Sequence, residues 1–486
     1  MIAALAVIPF LGAGILLCIP SQDERSLKMA ALAACGFPFL ITLLMLARFH
    51  SSLPGYQFQV WLDWLPALGI SYHLGVDGIN LTLCLLHALV SFAGAFVATS
   101  EKQRLKEYLF FYLVLVGSIY GVFTSLDLFF LYLFYETALI PLYPMIAVWG
   151  SENKEYGAMK LTLFITAGAV LGLFGILMLY RQIGGQTFDL IQLQEITRAH
   201  PLPEDFQNFA AGFVLIGFGV IASLWPLHSW SPIGYAAAPT SVSMLHAGVL
   251  KKMGPYLILR IALTILPQGF LRWSDLLAIL GVIGILYAGY AAVTQKDLKF
   301  MVGFSSVSHM GYVLLGLAAM TPAAISGAVF LMFSHGVMAA ALFALIGFLY
   351  AQAHTRGVSD FGGLAKNLPF VSTCFLMAAL ASLGLPGFSN FVSELLVFLG
   401  SWTRYPVPIL LAVCGILITS LYLLRAVQKI FFGPLHPAWA NLKDATGFYE
   451  RFPLILLIAS LVLFGFYPQG LLRIIQPAVS SLGVLP

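Results

Sequence analysis

Six ionisable residues fall inside runs that are otherwise apolar. Glu136 lies in LFFLYLFYETALIPLYP, Lys251 and Lys252 in SMLHAGVLKKMGPYLILR, His309 in FSSVSHMGYV, His335 in FLMFSHGVMAAALF and Glu394 in GLPGFSNFVSELLVFLG. Carboxyl, amine and imidazole groups set one after another in an apolar medium are the parts of a proton relay. Burial disfavours the charged form of each and an opposite charge restores it, so a group balanced between the two gives up and regains a proton. Histidine does so near neutral pH, and Ser305, one turn before His309, suits a water-assisted step. Adjacent helical residues point about 100° apart, so Lys251 and Lys252 face different neighbours. The same residues also fit plainer duties: a neutral Glu136 bonded to a neighbouring helix, lysines in structural ion pairs, or two histidines ligating haem. Lys160, His228 and Lys299 are possible accessory groups, and His87 and His246 weaker ones. No Cys cluster, P-loop or dinucleotide glycine pattern accompanies them, and neither a cofactor, a metal nor redox chemistry is expected in this chain.

The elements that must hold these groups are membrane helices. Of 486 residues, 60% are hydrophobic and 9% charged, and the mean hydropathy is +0.93. That composition excludes a soluble domain, and no nucleic-acid partner is expected. Apolar runs recur that are long enough to cross a hydrocarbon core of about 30 Å. They predict about fourteen spans, roughly 2–19, 27–49, 77–99, 107–124, 126–149, 157–180, 209–230, 240–265, 275–293, 300–319, 323–350, 369–400, 407–430 and 452–472. Glu136 lies about 13 Å into the fifth at 1.5 Å per residue, and the insertion cost of a central charge is roughly 2.5–3.5 kcal/mol. Two spans are interrupted. The stretch from Phe209 to Arg260 meets Pro226, Pro232 and Pro239, and the twelfth span meets Pro386 and Gly387 before Glu394. Broken helices need a protein-lined or water-lined interior. Two of them five spans apart suggest an inverted repeat with an ion site near the midplane.

Loops after odd-numbered spans hold fourteen of the 24 Lys and Arg residues, against seven on the opposite side, Arg260 among them. The positive-inside rule then puts both termini on the outer face. The pattern over 54–76 predicts a surface hairpin, and 181–206 an amphipathic surface helix. The N-terminus lacks a basic segment and a cleavage site and reads as the first span. The five cysteines are scattered singly as small buried residues. The expected units are three N-terminal helices with the hairpin (1–106), a first five-helix bundle (107–265), a second (266–430) and a C-terminal helix (431–486).

Ordered motifs along nearly the whole chain carry a resemblance. They are LGVDGIN (74–80), FYETALIPLYPMI (134–146), WPLHSW (225–230), AAPTSVSMLHAGVLKKMG (237–254), QKDLKFMVGFSSVSHMGYV (295–313), SHGVMAAALF (334–343), AHTRGVSDFGGL (353–364) and ASLGLPGFSNFVSELLVFLGSW (381–402). The chain resembles the antiporter-like membrane subunits of respiratory complex I, most closely the M-type chain. The resemblance implies an all-α fold of about fourteen transmembrane helices with two inverted five-helix repeats and two broken helices. It further implies proton movement coupled to quinone reduction elsewhere, in a bacterial inner or thylakoid-type membrane. Sister antiporter-like chains and lipids would be its neighbours, and quinone, flavin and iron-sulfur clusters would belong to partner subunits. The family's acidic residue of the fifth helix falls on Glu136, its eighth-helix lysine on Lys252, its histidines on His309 and His335, and the M-type glutamate on Glu394.

The chain also departs from the family pattern. Ile221 stands where the family usually has a seventh-helix lysine, and Ile233 and Tyr235 replace its acidic residue and histidine. Glu136 thus lacks its usual cationic partner, unless Lys160, Lys251 or Lys252 substitutes. Other readings of the same chain are a non-pumping structural paralogue, or a subunit of a cation/proton antiporter or membrane hydrogenase.

Overall fold

The computed structural model describes residues 1–53 and 55–483. Residue 54, at the start of the expected hairpin, and residues 484–486, at the end of the expected C-terminal unit, lie outside the described residues. The elements in order are α1 (Ile2–Cys18), α2 (Glu24–Arg48), β1 (Gln57–Leu65), β2 (Ile70–Val76), α3 (Gly78–Ala98), α4 (Leu105–Thr124), α5 (Leu128–Trp149), α6 (Lys154–Gln182), α7 (Leu190–Ala199) and α8 (Glu204–Ala222). There follow α9 (Trp230–Ala237), α10 (Thr240–Gly248), α11 (Met253–Leu257), α12 (Pro267–Thr294), α13 (Leu298–Ala319), α14 (Pro322–Ala353), α15 (Pro369–Ser382), α16 (Ser389–Ser401), α17 (Pro406–Phe431), α18 (Phe448–Phe466) and α19 (Gln469–Ser480). Among the described residues, eleven helices are long and apolar enough to cross a membrane. The other segments expected to span coincide with the 17-residue α1 and with the interrupted α10–α11 and α15–α16.

Aspartates start several helices. Asp77, Asp127, Asp189 and Asp297 each accept backbone N–H bonds from the first turn of α3, α5, α7 and α13. A carboxylate there satisfies donors that the helix cannot use and meets the positive end of its dipole. The expected hairpin forms from β1 and β2, paired antiparallel with Trp61 opposite His73. Strand β1 is mostly exposed and β2 buried. The expected surface helix is α7, which buries Leu190, Leu193 and Thr197.

Packing centres on α14. Its apolar window is wholly buried, and α3 and α13 are nearly so, whereas α2 and α17 keep most of theirs exposed. At 32 residues α14 is about 48 Å long, and it touches α3, α10, α13, α15, α16, α18 and α19. Close approach of backbones needs glycine at two seams. A Cβ on Gly217 of α8 would meet Gly168 and Gly172 of α6, and one on Gly78 would overlap the Ile474 carbonyl of α19.

Three expectations are corrected. The seventh segment does not run through to residue 230: α8 stops at Ala222, Ser223 turns left-handed at φ 58°, and α9 begins only at Trp230. The eighth is not one continuous helix. Between α10 and α11 lies a 3-10 turn, Leu250–Lys252, and after α11 a π-turn, Ile258–Leu263. Pro255 has no N–H for the Lys251 carbonyl, and its ring crowds that carbonyl, so regular winding fails there. The last expected span, 452–472, is two elements divided at Tyr467 and Pro468. Helix α19 turns Leu471, Leu472, Ile474, Ile475, Ala478 and Val479 inward, at helical spacing.

Candidate functional site

The 3-10 turn aims the two lysines apart, because each residue there advances about 120°. Lys252 Nζ lies 2.9 Å from His335 Nδ1 and donates to the Ala247 carbonyl. His335, on α14, stacks obliquely against His309 on α13, with ring centroids 5.0 Å apart. His309 Nδ1 is 2.8 Å from the Ser305 carbonyl, and its Nε2 is 3.1 Å from the Ser382 carbonyl and 3.9 Å from Glu394 Oε1. Lys252, His335, His309 and Glu394 thus form a file across four helical segments, and all four are buried. Both ring nitrogens of His309 face carbonyl oxygens, so a neutral ring satisfies one of them and a protonated ring both.

Lys251 points the other way. Its Nζ is 3.1 Å from Ser231 Oγ and 3.3 Å from Ser306 Oγ, over the Tyr235 ring at 5.5 Å. No carboxylate lies within ion-pair distance of it among the described residues. Lys299 Nζ donates to the Ala238 carbonyl at 2.6 Å. The helix breaks explain these contacts. The final carbonyls of a helix have no partner within it. Ala238, just past α9, and Ser382, closing α15, offer theirs to Lys299 and His309. Further buried groups have no hydrogen-bond partner among the described residues: both nitrogens of His246, His335 Nε2, the Tyr235 hydroxyl, and the side chains of Ser389 and Asn390. Polar groups of this kind suit a hydrated interior.

Glu136 is not brought into the file. It lies partly exposed on α5, and its Oε1 accepts from the Tyr132 hydroxyl at 2.5 Å. Lys160 is partly exposed on α6, its ammonium over the Tyr156 and Phe164 rings at 5.6 and 6.0 Å. His228 is buried in the turn between α8 and α9, its ring 5.3 Å from that of Tyr287. Ile221 is buried. On the face opposite the hairpin, a cleft of about 1260 Å³ opens between the ends of α3, α14 and α18, with Lys28, Lys102, Tyr108, Lys299, His354 and Glu450 in its walls.

Sequence reasoning missed two polar clusters and misread one residue. Arg260, counted with the loop cations, is fully buried in the π-turn, 2.6 Å from Asp77 and flanked by the Tyr56 and Tyr256 rings. The residue that meets it is the capping aspartate of LGVDGIN. On the hairpin face His73 bridges Asp189 at 2.5 Å and Gln59 at 3.0 Å. Nearby, Asp127 accepts from the Ser71 N–H at 3.0 Å. Burial pushes the Asp127 carboxyl up to about 6, against three backbone N–H bonds that pull it down. Serines 231, 306 and 382 had no pattern to mark them. They matter because a break or a neighbouring helix turns them inward.

A polytopic helical subunit with two interrupted helices and a buried file of amine, imidazole and carboxyl groups belongs with the antiporter-like membrane proteins. The family model described as NADH:quinone oxidoreductase/Mrp antiporter, TM, matches residues 125–419. NADH-quinone oxidoreductase subunit M of Rickettsia bellii is 35% identical over 467 residues, covering 95% of this chain and 93% of its own. NAD(P)H-quinone oxidoreductase chain 4 2 of Microcystis aeruginosa is 36% identical over 441 residues, covering 89% and 79%. Among solved structures, a chain of respiratory complex I from Thermus thermophilus with bound NADH superposes with a TM-score of 0.88 at 29% identity, covering 99% of this chain and 100% of its own. A chain of the Mrp complex from Dietzia sp. DQ12-45-1b has the same fold, with a TM-score of 0.88 at 21% identity, covering 99% and 97%. The chain belongs to the NADH:quinone oxidoreductase/Mrp antiporter family, and the resemblance carried by its motifs is a family relationship.

Proposed function

We propose that this chain is a proton-translocating membrane-arm subunit of a complex I-type NAD(P)H or ferredoxin:quinone oxidoreductase. The observation that carries the reading is the buried file Lys252–His335–His309–Glu394. Its steps are 2.9 Å between Lys252 and His335, 5.0 Å between ring centroids and 3.9 Å to the carboxylate. A proton handed from ammonium to imidazole to carboxylate leaves His335 to be resupplied by Lys252 and His309 by His335. Lys299, in the wall of the cleft, is the natural uptake group on that face. Lys251, among Ser231, Ser306 and Tyr235, takes the charge that Ile221 cannot hold. The chain itself performs no redox step; quinone, flavin and iron-sulfur clusters sit in partner subunits, and the sister antiporter-like chains flank it. Both termini and the hairpin lie on the outer face of a bacterial inner or thylakoid-type membrane. Residues 107–265 and 266–430 are the two inverted bundles.

One observation favours a second reading, a non-pumping structural paralogue: the buried Ile221 in place of a lysine. Proton uptake per electron in the reconstituted complex separates the two. Lys252→Ala is expected to lower the ratio or to uncouple turnover. Lys251→Met is expected to do the same, and Glu136→Gln to lower it as well. An unchanged ratio in Lys252→Ala and Glu136→Gln together overturns the pumping assignment.

A further inference from the structure

Among the described residues, His246 is the one histidine whose two ring nitrogens are both buried and unpartnered. His87, His335 and His309 each keep at least one contact: the Val116 carbonyl, Lys252, and two carbonyls respectively. The His246 ring, on α10, packs against those of Trp230 and Tyr235, with centroids 5.4 and 5.2 Å away. A phenyl ring would fill the same space without stranding two polar atoms, so packing alone gives no use for an imidazole there. The Tyr235 hydroxyl is stranded in the same way. The other side of this cluster is Lys251, whose ammonium lies 5.5 Å from the centre of the Tyr235 ring.

Helix α10 joins the cluster to the cleft. Its first residues, Thr240 and Ser241, line the cleft wall, with Tyr108 Oη 2.7 Å from Ser241 Oγ and Lys299 2.6 Å from the Ala238 carbonyl. His246 comes five residues after Ser241, about 7.5 Å deeper at the helical rise, and five before Lys251. Proton transfer runs over hydrogen-bond distances or through one water, so the way from the cleft to Lys251 needs a group partway that both accepts and donates. An imidazole does both, one nitrogen each, whereas the Trp230 indole only donates.

We infer that His246 is a relay residue, which takes protons from the cleft at Tyr108, Ser241 and Lys299 and passes them, past the Tyr235 hydroxyl and through water, to Lys251. One ring nitrogen gains an N–H bond as the other loses one, and a turn of the ring restores the starting tautomer. The step needs no co-reactant. The inference rests on the proton-translocating reading and adds to it the residue between uptake and Lys251.

The test measures proton uptake per electron in the reconstituted complex, with Lys252→Ala as the reference for pumping itself. His246→Phe keeps a ring against Trp230 and Tyr235. It is expected to lower the ratio as far as Lys251→Met does, and the two changes together no further. His246→Ala leaves room for a small ring. Imidazole added to that variant is expected to restore the ratio, and pyrazole, of the same size but a far weaker base, to leave it low. An unchanged ratio in His246→Phe, with Lys252→Ala lowering it, overturns the inference and leaves the pumping reading standing. Equal recovery with imidazole and pyrazole marks a packing role and also overturns it, as does no recovery with either or a deeper loss in the double variant. If His246→Phe does not assemble on native gels, the two additions to His246→Ala decide. Ratios unchanged in both Lys252→Ala and Glu136→Gln remove the pumping reading, and the relay with it.

Discussion

A buried arginine or lysine is only as stable as the groups that meet it, and the cations in this chain are met in two ways. Arg260 has a full counter-charge in Asp77, with Arg260 itself fully buried. Removing one partner of a buried pair leaves the other charge unpaired, at about 3–5 kcal/mol. Asp77→Asn should therefore lower the thermal midpoint of the purified protein sharply, and Asp77→Asn with Arg260→Met should recover part of the loss. An equal or greater loss in the double variant would contradict the pairing. Lys251, Lys252 and Lys299 are met by hydroxyls, an imidazole and carbonyls instead. The sequence exposed most of these residues, because an ionisable side chain in an apolar run stands out. Apart from His335, it did not expose their partners. Serine hydroxyls and the carbonyls of Ala238 and Ser382 become ligands only through tertiary packing, and Arg260 read as a loop cation because its burial depends on Asp77, 183 positions away.

At the scale of elements, the breaks were legible where proline and glycine marked them, as at Pro386–Gly387. Their extent was not. Nothing in the apolar pattern said that α8 would stop at Ala222, and the winding change at Lys251 follows from Pro255, four residues on, whose effect shows only once a helix is assumed. Helix α19 was legible in principle, since its buried positions keep a helical period through Pro477, but a hydropathy window merges it with α18. Its seat depends on the contact between Gly78 and the Ile474 carbonyl. Gly78→Ala should push α19 off α3, at about 1–3 kcal/mol for overpacking, and speed hydrogen exchange in 469–480. Unchanged exchange there would show the seam to be slack.

Across the whole molecule the two faces differ in chemistry. One carries the cleft with its lysines; the other carries the hairpin locked to α5 and α7 by Ser71, His73, Asp127 and Asp189. The Asp127 carboxyl sits at about 6 in the fold, above its ordinary 3.8. The fold therefore holds its proton more tightly than the unfolded chain does. The junction gains stability as pH falls from about 6 toward 4 and loses it as pH rises through about 6, by an amount on the order of 1–3 kcal/mol. Hydrogen exchange at the Ser71 and Phe129 amides, corrected for intrinsic rates, should be slower at pH 5 than at pH 7.5. His73 and Asp189 face the same junction, so Asp127→Asn isolates the Asp127 share and should flatten that difference. The turn at Leu250–Lys252 has a mechanical side as well. A 3-10 winding advances about 120° and 2.0 Å per residue, an α winding about 100° and 1.5 Å. Over three residues the segment is therefore overwound by about 60° and stretched by about 1.5 Å. It is the thread of a fine screw, in which the bearing of Lys252 and the spacing between α10 and the anchored Arg260 are a single quantity.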